Sequence, residues 1–162
     1  MNWNRFAQSA AYCLCGFGFF AGTATLRAED PKAEPVQLAK SIAVSEVDGK
    51  SFDVIVAGGT PCGIACAVRA AREGASVLLV NHTGHLGGMM SNGLMQWDAL
   101  YGGSRAPLFS ELLRNIENYY RIVYGAESND LKTVHFSQEH YPIGWAEPHV
   151  AEREFNRLIA AE

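Results

Sequence analysis

Apolar and polar positions alternate in blocks along the middle of the chain, and the blocks predict a strand, a turn, a helix and a second strand. Phe52-Asp53-Val54-Ile55-Val56-Ala57 is a short, β-branched, mostly apolar run. Runs of this kind suit strands of a parallel sheet buried on both faces. Ile64 to Glu73 is rich in alanine, which favours a helix whose small side chains let it lie close to a sheet. Gly74 then stops the helix. Ser76-Val77-Leu78-Leu79-Val80 is a second buried-type strand. The whole succession occupies about 30 residues, the size of a βαβ unit.

Further on, Phe109, Leu112, Leu113, Ile116, Tyr120 and Val123 recur at helical spacing. Ser110, Glu111, Arg114, Glu117, Asn118 and Arg121 take the other face. This helix is expected to start near Ala106-Pro107 and to end at Gly125. A last helix is expected from Pro148, with Ala151, Phe155, Leu158 and Ile159 on one side. Its charges alternate in sign through Glu152, Arg153, Glu154 and Arg157, the pattern of a solvated side. Met95 to Ser104 reads as an irregular loop, and Ala126 to Tyr141 as a polar loop or weak hairpin. No internal repeat is visible.

The N-terminus has a different pattern. Arg5 is followed by an uncharged stretch from Phe6 to Leu26, densest in apolar residues over Ala10 to Ala21. Ala24 and Ala28 are small residues suited to a cleavage point. The reading is a signal peptide over residues 1–28 and an exported protein. The alternative is a membrane anchor formed by residues 6–26. Residues 29–50, with Pro31 and Pro35, read as a linker. Residues 51–162 are then the folded part.

The chain has 162 residues, a formal charge of −4 and 48% hydrophobic residues. That is one ordinary folded domain, neither collagen-like, disordered nor a disulfide scaffold. A pI near 5.7 offers no basic surface for nucleic acid. Cys13 and Cys15 would leave with the signal. Cys62 and Cys66 remain, and they read as small buried residues of the first helix, since a disulfide at that spacing is strained. His82, His85, His135, His140 and His149 show no zinc spacing and read as surface or loop residues, so no metal site is expected. Asp98 and Glu147 lie near aromatic residues but receive no catalytic role. The G-x-S-x-G, H-E-x-x-H and G-x-x-x-x-G-K-[ST] patterns do not occur.

Glycine narrows the chemistry: ten of the 16 glycines lie between Gly58 and Gly103. Gly58-Gly59-Thr60-Pro61-Cys62-Gly63 joins the first strand to the first helix. Gly58 permits a sharp turn, and Gly63 lets the helix approach the strand. The helix N-terminus offers N–H groups and a partial positive charge to a pyrophosphate. The dinucleotide fingerprint is G-x-G-x-x-G, and here Thr60 stands at its middle glycine. Either the phosphate approaches differently or the Thr60 hydroxyl donates to it. Asn81, at the end of the second strand, takes the place of the acid that bonds the adenosine ribose. No arginine follows closely, which disfavours a 2′-phosphate and hence NADP. The double glycine Gly87-Gly88 is not needed by the simple NAD fingerprint and suits a longer, bent cofactor.

The stretch GGTPCGIACAVRAAREGASVLLVNHTGHLGGMMSNGL resembles the opening of a family of FAD-dependent oxidoreductases. The likeness rests on a GGTPxGI-type turn and a GHLGGM-type segment. It runs over about residues 52–161, including WAEPHVAEREFNRLIAAE. It implies an α/β, Rossmann-like FAD/NAD(P)-binding βαβ unit with additional helices, of glutathione-reductase type, with FAD as cofactor. It also implies that Gly58, Gly59, Thr60, Pro61, Cys62 and Gly63 face the pyrophosphate. Leu86, Gly87, Gly88 and Met89 would line the cofactor through their backbone, and Ser91 and Asn92 would approach the flavin. The family carries Glu where this chain has Asn81. The expected activity is hydride transfer through flavin, with the substrate not readable. The substrate pocket and a late flavin contact would follow after Glu162, so the domain is expected to be incomplete, and poorly stable and weak in FAD binding on its own. Two alternatives stay open: an NAD-dependent dehydrogenase domain, and a non-catalytic secreted module that keeps half of such a fold.

Overall fold

A computed structural model of the chain describes residues 10–14, 32–93, 96–98, 105–134 and 143–162. In chain order the elements are β1 (Ala10–Leu14), β2 (Ser41–Ile42), α1 (Val44–Val47), β3 (Val54–Ala57), α2 (Pro61–Arg72) and β4 (Val77–Asn81). A 3₁₀ turn over Gly88–Ser91 precedes β5 (Gln96–Asp98), α3 (Pro107–Tyr124), α4 (Asn129–Val134), β6 (Ile143–Trp145) and α5 (Pro148–Ala160). The result is a mixed α/β fold around one parallel strand pair.

That pair is β3 and β4, in register from Val54 opposite Val77 to Ala57 opposite Val80. Parallel strands need a crossover, and α2 provides it. Ile64, Ala67 and Val68 are the residues of α2 that are buried. β4 is covered on both faces, with Val77, Leu78 and Leu79 all buried. β3 differs from the expectation of two buried faces: Val56 is buried, but Ile55 is 64% exposed. β3 is the edge strand of its sheet.

β1 lies antiparallel on the other edge of β4, and β2 pairs with β1. Ala10–Leu14 belongs to the segment expected to be a signal; residues 1–9 and 15–31 lie outside the described residues. Among the described residues no helix is long and apolar enough to cross a membrane.

Two of the expected loops contain regular structure. Gln96–Asp98, read from sequence as irregular, is a strand paired antiparallel with Ile143–Trp145. Asn129–Val134, read as loop or hairpin, is a short helix. Three-residue strands and six-residue helices carry too little periodicity to be read locally, and it is their partners that stabilise them. His135, His140, Gly102 and Gly103 lie outside the described residues.

The two long helices begin at Pro107 and Pro148, as the sequence predicts, because proline costs nothing where no intrahelical donor is needed. α3 buries Leu112, Ile116, Tyr120 and Val123. It also buries Tyr119, which stands edge-on to Tyr120 and to His149. Phe109 and Leu113 are only half-buried. Ile64, Leu79, Leu86, Ile116 and Val150 form the fully enclosed centre of the core. Each contributes roughly 2 kcal/mol by removing its side chain from water.

α5 departs most from its sequence pattern. Arg153 is 8% exposed and Glu154 is fully buried, so half of the alternating charges lie inside. Arg153 pairs with Glu154, donates to the Glu34 carbonyl and lies 5.0 Å from the centre of the Tyr119 ring. Arg157 Nε lies 3.0 Å from the other Glu154 oxygen. Burial pushes the Glu154 carboxyl above its usual range despite these two cations. The reason for the burial is tertiary. Ala33 and Ala39, within the segment read as a linker, pack on the core, and the Ala39 N–H donates to Asn156 Oδ1 at 3.2 Å. α5 is therefore covered on two sides. Arg72 of α2 bonds Glu111 of α3 at 2.8 and 3.0 Å and Glu162 at 2.5 Å, joining three parts of the chain.

Where the parallel pair begins, Asp53 Oδ2 accepts from the Ser76 N–H at 2.8 Å and from the Ser76 hydroxyl at 2.6 Å. Those bonds hold the Asp53 carboxyl below its ordinary value of 3.8. An acid whose folded pKa is depressed stabilises the fold above its unfolded pKa, and that contribution fades as pH falls through the folded value. Asp53→Asn is therefore expected to melt below the wild type at neutral pH. The gap should narrow once pH drops below about 4. Melting curves recorded against pH check this; a gap that stays constant into acid contradicts the clamp.

Candidate functional site

The turn after β3 is built around two close approaches. The Gly58 N–H continues the parallel ladder by donating to the Val80 carbonyl at 2.7 Å. Gly58 then turns with φ +113°, a left-handed value that glycine tolerates and other residues resist. Five residues later α2 passes directly over this turn. A Cβ on Gly63 would lie 2.0 Å from the Gly58 carbonyl oxygen, so no side chain fits there. A Cβ on Gly58 would meet nothing within 4 Å, which leaves an open cradle in front of the turn.

Thr60 has a task that the sequence did not reveal. It is the N-cap of α2, and its Oγ1 accepts the Gly63 N–H at 3.3 Å. The cap satisfies one of the first-turn donors, and Pro61 has none to offer. Thr-Pro at a helix start was the available signal for this role. The Thr60 and Cys62 N–H groups donate to no other described residue. Cys62 and Cys66 correct the expectation of burial: both are free thiols exposed on the outer side of α2. Ile64, Ala67 and Val68 already fill the inner side, so the spacing of the cysteines turns them outward.

The second glycine segment folds back on the first. The Gly87 N–H donates to the Gly59 carbonyl at 2.8 Å. Gly87 has φ +100°, and a Cβ there would collide with Ser91 and with Phe155 of α5. A Cβ on Gly88 would come within 3.3 Å of the Pro61 ring. Gly58 to Gly63 and Leu86 to Met89 are thus neighbours in space. Leu86 is fully buried, and its backbone is occupied: its N–H donates to Glu152 Oε1 at 3.2 Å and its carbonyl accepts from Ser91. Of its two backbone groups, the N–H is spent within the chain and the carbonyl keeps its second lone pair. Met89 and Asn92 are exposed.

Asn81 sits where a ribose contact is expected, but its amide points inward. It is 6% exposed and accepts the Gly59 N–H on Oδ1 at 3.1 Å. Its Nδ2 donates to the His85 carbonyl at 2.7 Å and to the Thr83 carbonyl at 3.1 Å. No amide hydrogen is left for a ribose.

Glu152, His85 and Ser91 line up as acid, imidazole and hydroxyl. His85 Nδ1 lies 2.7 Å from Glu152 Oε1, and Nε2 lies 3.2 Å from Ser91 Oγ. The order resembles a nucleophilic relay, but the environment does not serve one. Ser91 is 2% exposed, and its hydroxyl donates to the Leu86 carbonyl. The trio instead fastens the glycine segment to α5. Glu147 stands at the N-cap position of α5, and its carboxylate accepts from the Tyr120 hydroxyl at 3.1 Å without capping the helix. Burial first, and then the neighbouring Glu147 charge, raise the Tyr120 phenol above its ordinary value.

The arrangement sets backbone N–H groups and positive helix-dipole charge at a helix N-terminus beside open space. It suits an extended diphosphate. The open space before Gly58, which a Cβ would enter freely but the positive φ keeps empty, is the fit expected for such a group.

Comparison with protein families finds a match to the family described as FAD dependent oxidoreductase over residues 53–162. Comparisons with curated proteins and with solved structures find no match.

The two critical glycines fail for different reasons, and this can be measured. Gly63→Ala forces its methyl group against the Gly58 carbonyl, and should cost about 3 kcal/mol or more because backbone must move. Gly58→Ala meets no clash and should cost only about 1–2 kcal/mol of backbone strain. Chemical denaturation of the two variants checks the order. Equal losses would mean that α2 does not need its contact with the turn.

Proposed function

The chain belongs to the FAD-dependent oxidoreductase family, whose cofactor is FAD, and on that premise we propose that it builds the pyrophosphate-binding part of a flavin site. One observation carries the reading: the Gly87 N–H to Gly59 carbonyl bond, which places the two glycine segments around one open cradle at the start of α2. The N–H groups of Thr60 and Cys62 would hold the diphosphate, with Gly58 and Gly63 giving it room. Gly88, which lies against Thr60 and Pro61, and Met89 would follow the cofactor onward, and Asn92 would approach the flavin. Ser91 acts one step back, bonded to Leu86 and His85, and holds the shape of that path. The parallel pair β3–β4 joined by α2 supports a Rossmann-like unit of the glutathione-reductase type.

When bound, FAD supplies the redox chemistry, exchanging a hydride with a small-molecule substrate. The chain's own share is to bind and orient the dinucleotide. The uncharged segment Phe6–Leu26 supports export of the protein through an N-terminal signal, with a membrane anchor as the second use of the same residues.

The full-length protein is expected to purify yellow, or to quench the fluorescence of added FAD with a one-to-one end point. Gly63→Ala should abolish that binding. A folded, colourless full-length protein that ignores added FAD would overturn the reading.

A further inference from the structure

At the end of β4 the proposed flavin site and the observed bonds disagree. Asn81 has one acceptor oxygen and two amide hydrogens. The oxygen faces a backbone N–H, that of Gly59, and both hydrogens face backbone carbonyls, those of Thr83 and His85. Only an amide in this orientation satisfies all three partners. A carboxylate could accept from Gly59 but would set an oxygen against two carbonyl oxygens. Leucine would leave all three groups unpaired in a buried place, at a cost of about 1–3 kcal/mol for each group left unmade.

The three bonds link parts of the cradle that are distant in sequence. Gly59 belongs to the first glycine turn, and Thr83 and His85 lead into the second. The next bond, from the Gly87 N–H to the Gly59 carbonyl, closes the same loop. A Cβ on Gly59 would lie 2.9 Å from Asn81 Nδ2 and 2.7 Å from the Leu86 side chain, so the clip grips the turn closely.

We propose that Asn81 is a positioning residue that fixes the two glycine segments before the cofactor arrives, and that it makes no contact with the adenosine ribose. The ribose hydroxyls are left to other partners. The inference rests on the flavin reading for its ligand but not for its first test, because a clip acts in the free protein and a ribose contact does not.

The experiment uses the full-length protein and Asn81→Asp, which keeps the size and changes only the amide nitrogen. Without ligand, Asn81→Asp should melt several degrees below the wild type. Its affinity for FAD should fall about tenfold, from the loss of a preformed cradle. A ribose contact predicts the opposite: unchanged melting without ligand, and FAD held as tightly or more tightly by the charged acceptor. A third measurement compares FAD with an analogue that lacks the 2′-hydroxyl of the adenosine ribose. Removing that hydroxyl should change affinity by the same factor in the wild type and in the variant. If the factor differs in the variant, growing with the charged acceptor of Asn81→Asp or shrinking with Asn81→Ala, Asn81 touches the ribose and the proposal is overturned, whatever the melting shows. Should Asn81→Asp not fold, Asn81→Ala carries all three readings with the same expected directions. If the wild type binds no FAD, the flavin reading fails, and ligand-free melting alone decides the clip: equal midpoints overturn it.

Discussion

The contact between Gly63 and the Gly58 carbonyl governs the geometry of everything around it. At that point a helix crosses the end of a strand with no room for one carbon atom. The approach sets how α2 lies on β3 and β4, and so which residues of α2 enter the core. It also directs the helix N-terminus at the open side of the turn. A turn relaxed by even one side chain would move the dipole, the cap and the free N–H groups together. The strand–helix packing and the shape of the turn are therefore consequences of the same constraint.

The second glycine segment depends on this first turn. Gly59 gives its carbonyl to Gly87 and its N–H to Asn81, so both of its backbone groups are spent on holding the segment that follows β4. From the other side, Glu152 of α5 bonds the Leu86 N–H and the His85 ring. The cradle is thus gripped between the parallel pair and the last helix. Preorganisation of this kind suits a binding site, because the cost of ordering backbone is met during folding and not at the moment of binding. It also fits a protein whose reactive chemistry belongs to its cofactor.

α5 shows why a charge pattern is a weak guide to exposure. Its alternating Glu and Arg residues match a solvated helix face, yet Glu154 is enclosed, with Arg153 and Arg157 turned onto it. Buried ion pairs of this sort add little net stability compared with apolar residues, though removal of one partner is severe. Their presence follows from what lies on top of the helix. Residues 33–39 close that face, and nothing in their own proline-containing, charged composition marks them as a cover. The cysteines of α2 teach the same lesson in the other direction. Small and apolar by type, they lie outside because Ile64, Ala67 and Val68 at neighbouring helical positions already occupy the inside.

Local physics determined a large part of this protein. The β-branched runs, the alanine-rich helix, the prolines at helix starts and the glycine turn each act within a few residues, and the sequence alone placed β3, α2, β4, α3 and α5. The same turn pointed to a dinucleotide, and the resemblance of the stretch from Gly58 to Leu94 to a known family implied FAD. The tertiary structure decided what depends on partners far along the chain: the pairing of β5 with β6, the cover over α5, and the exposure of Cys62 and Cys66. It also decided which bonds Thr60 and Asn81 make within the chain, which residue type leaves open. A threonine at a turn can cap a helix or bond a phosphate, and an asparagine at a strand end can reach out to a ribose or inward to three backbone groups. Which of these occurs is set by where the neighbouring carbonyls and N–H groups come to lie, and that is known only after the chain has folded.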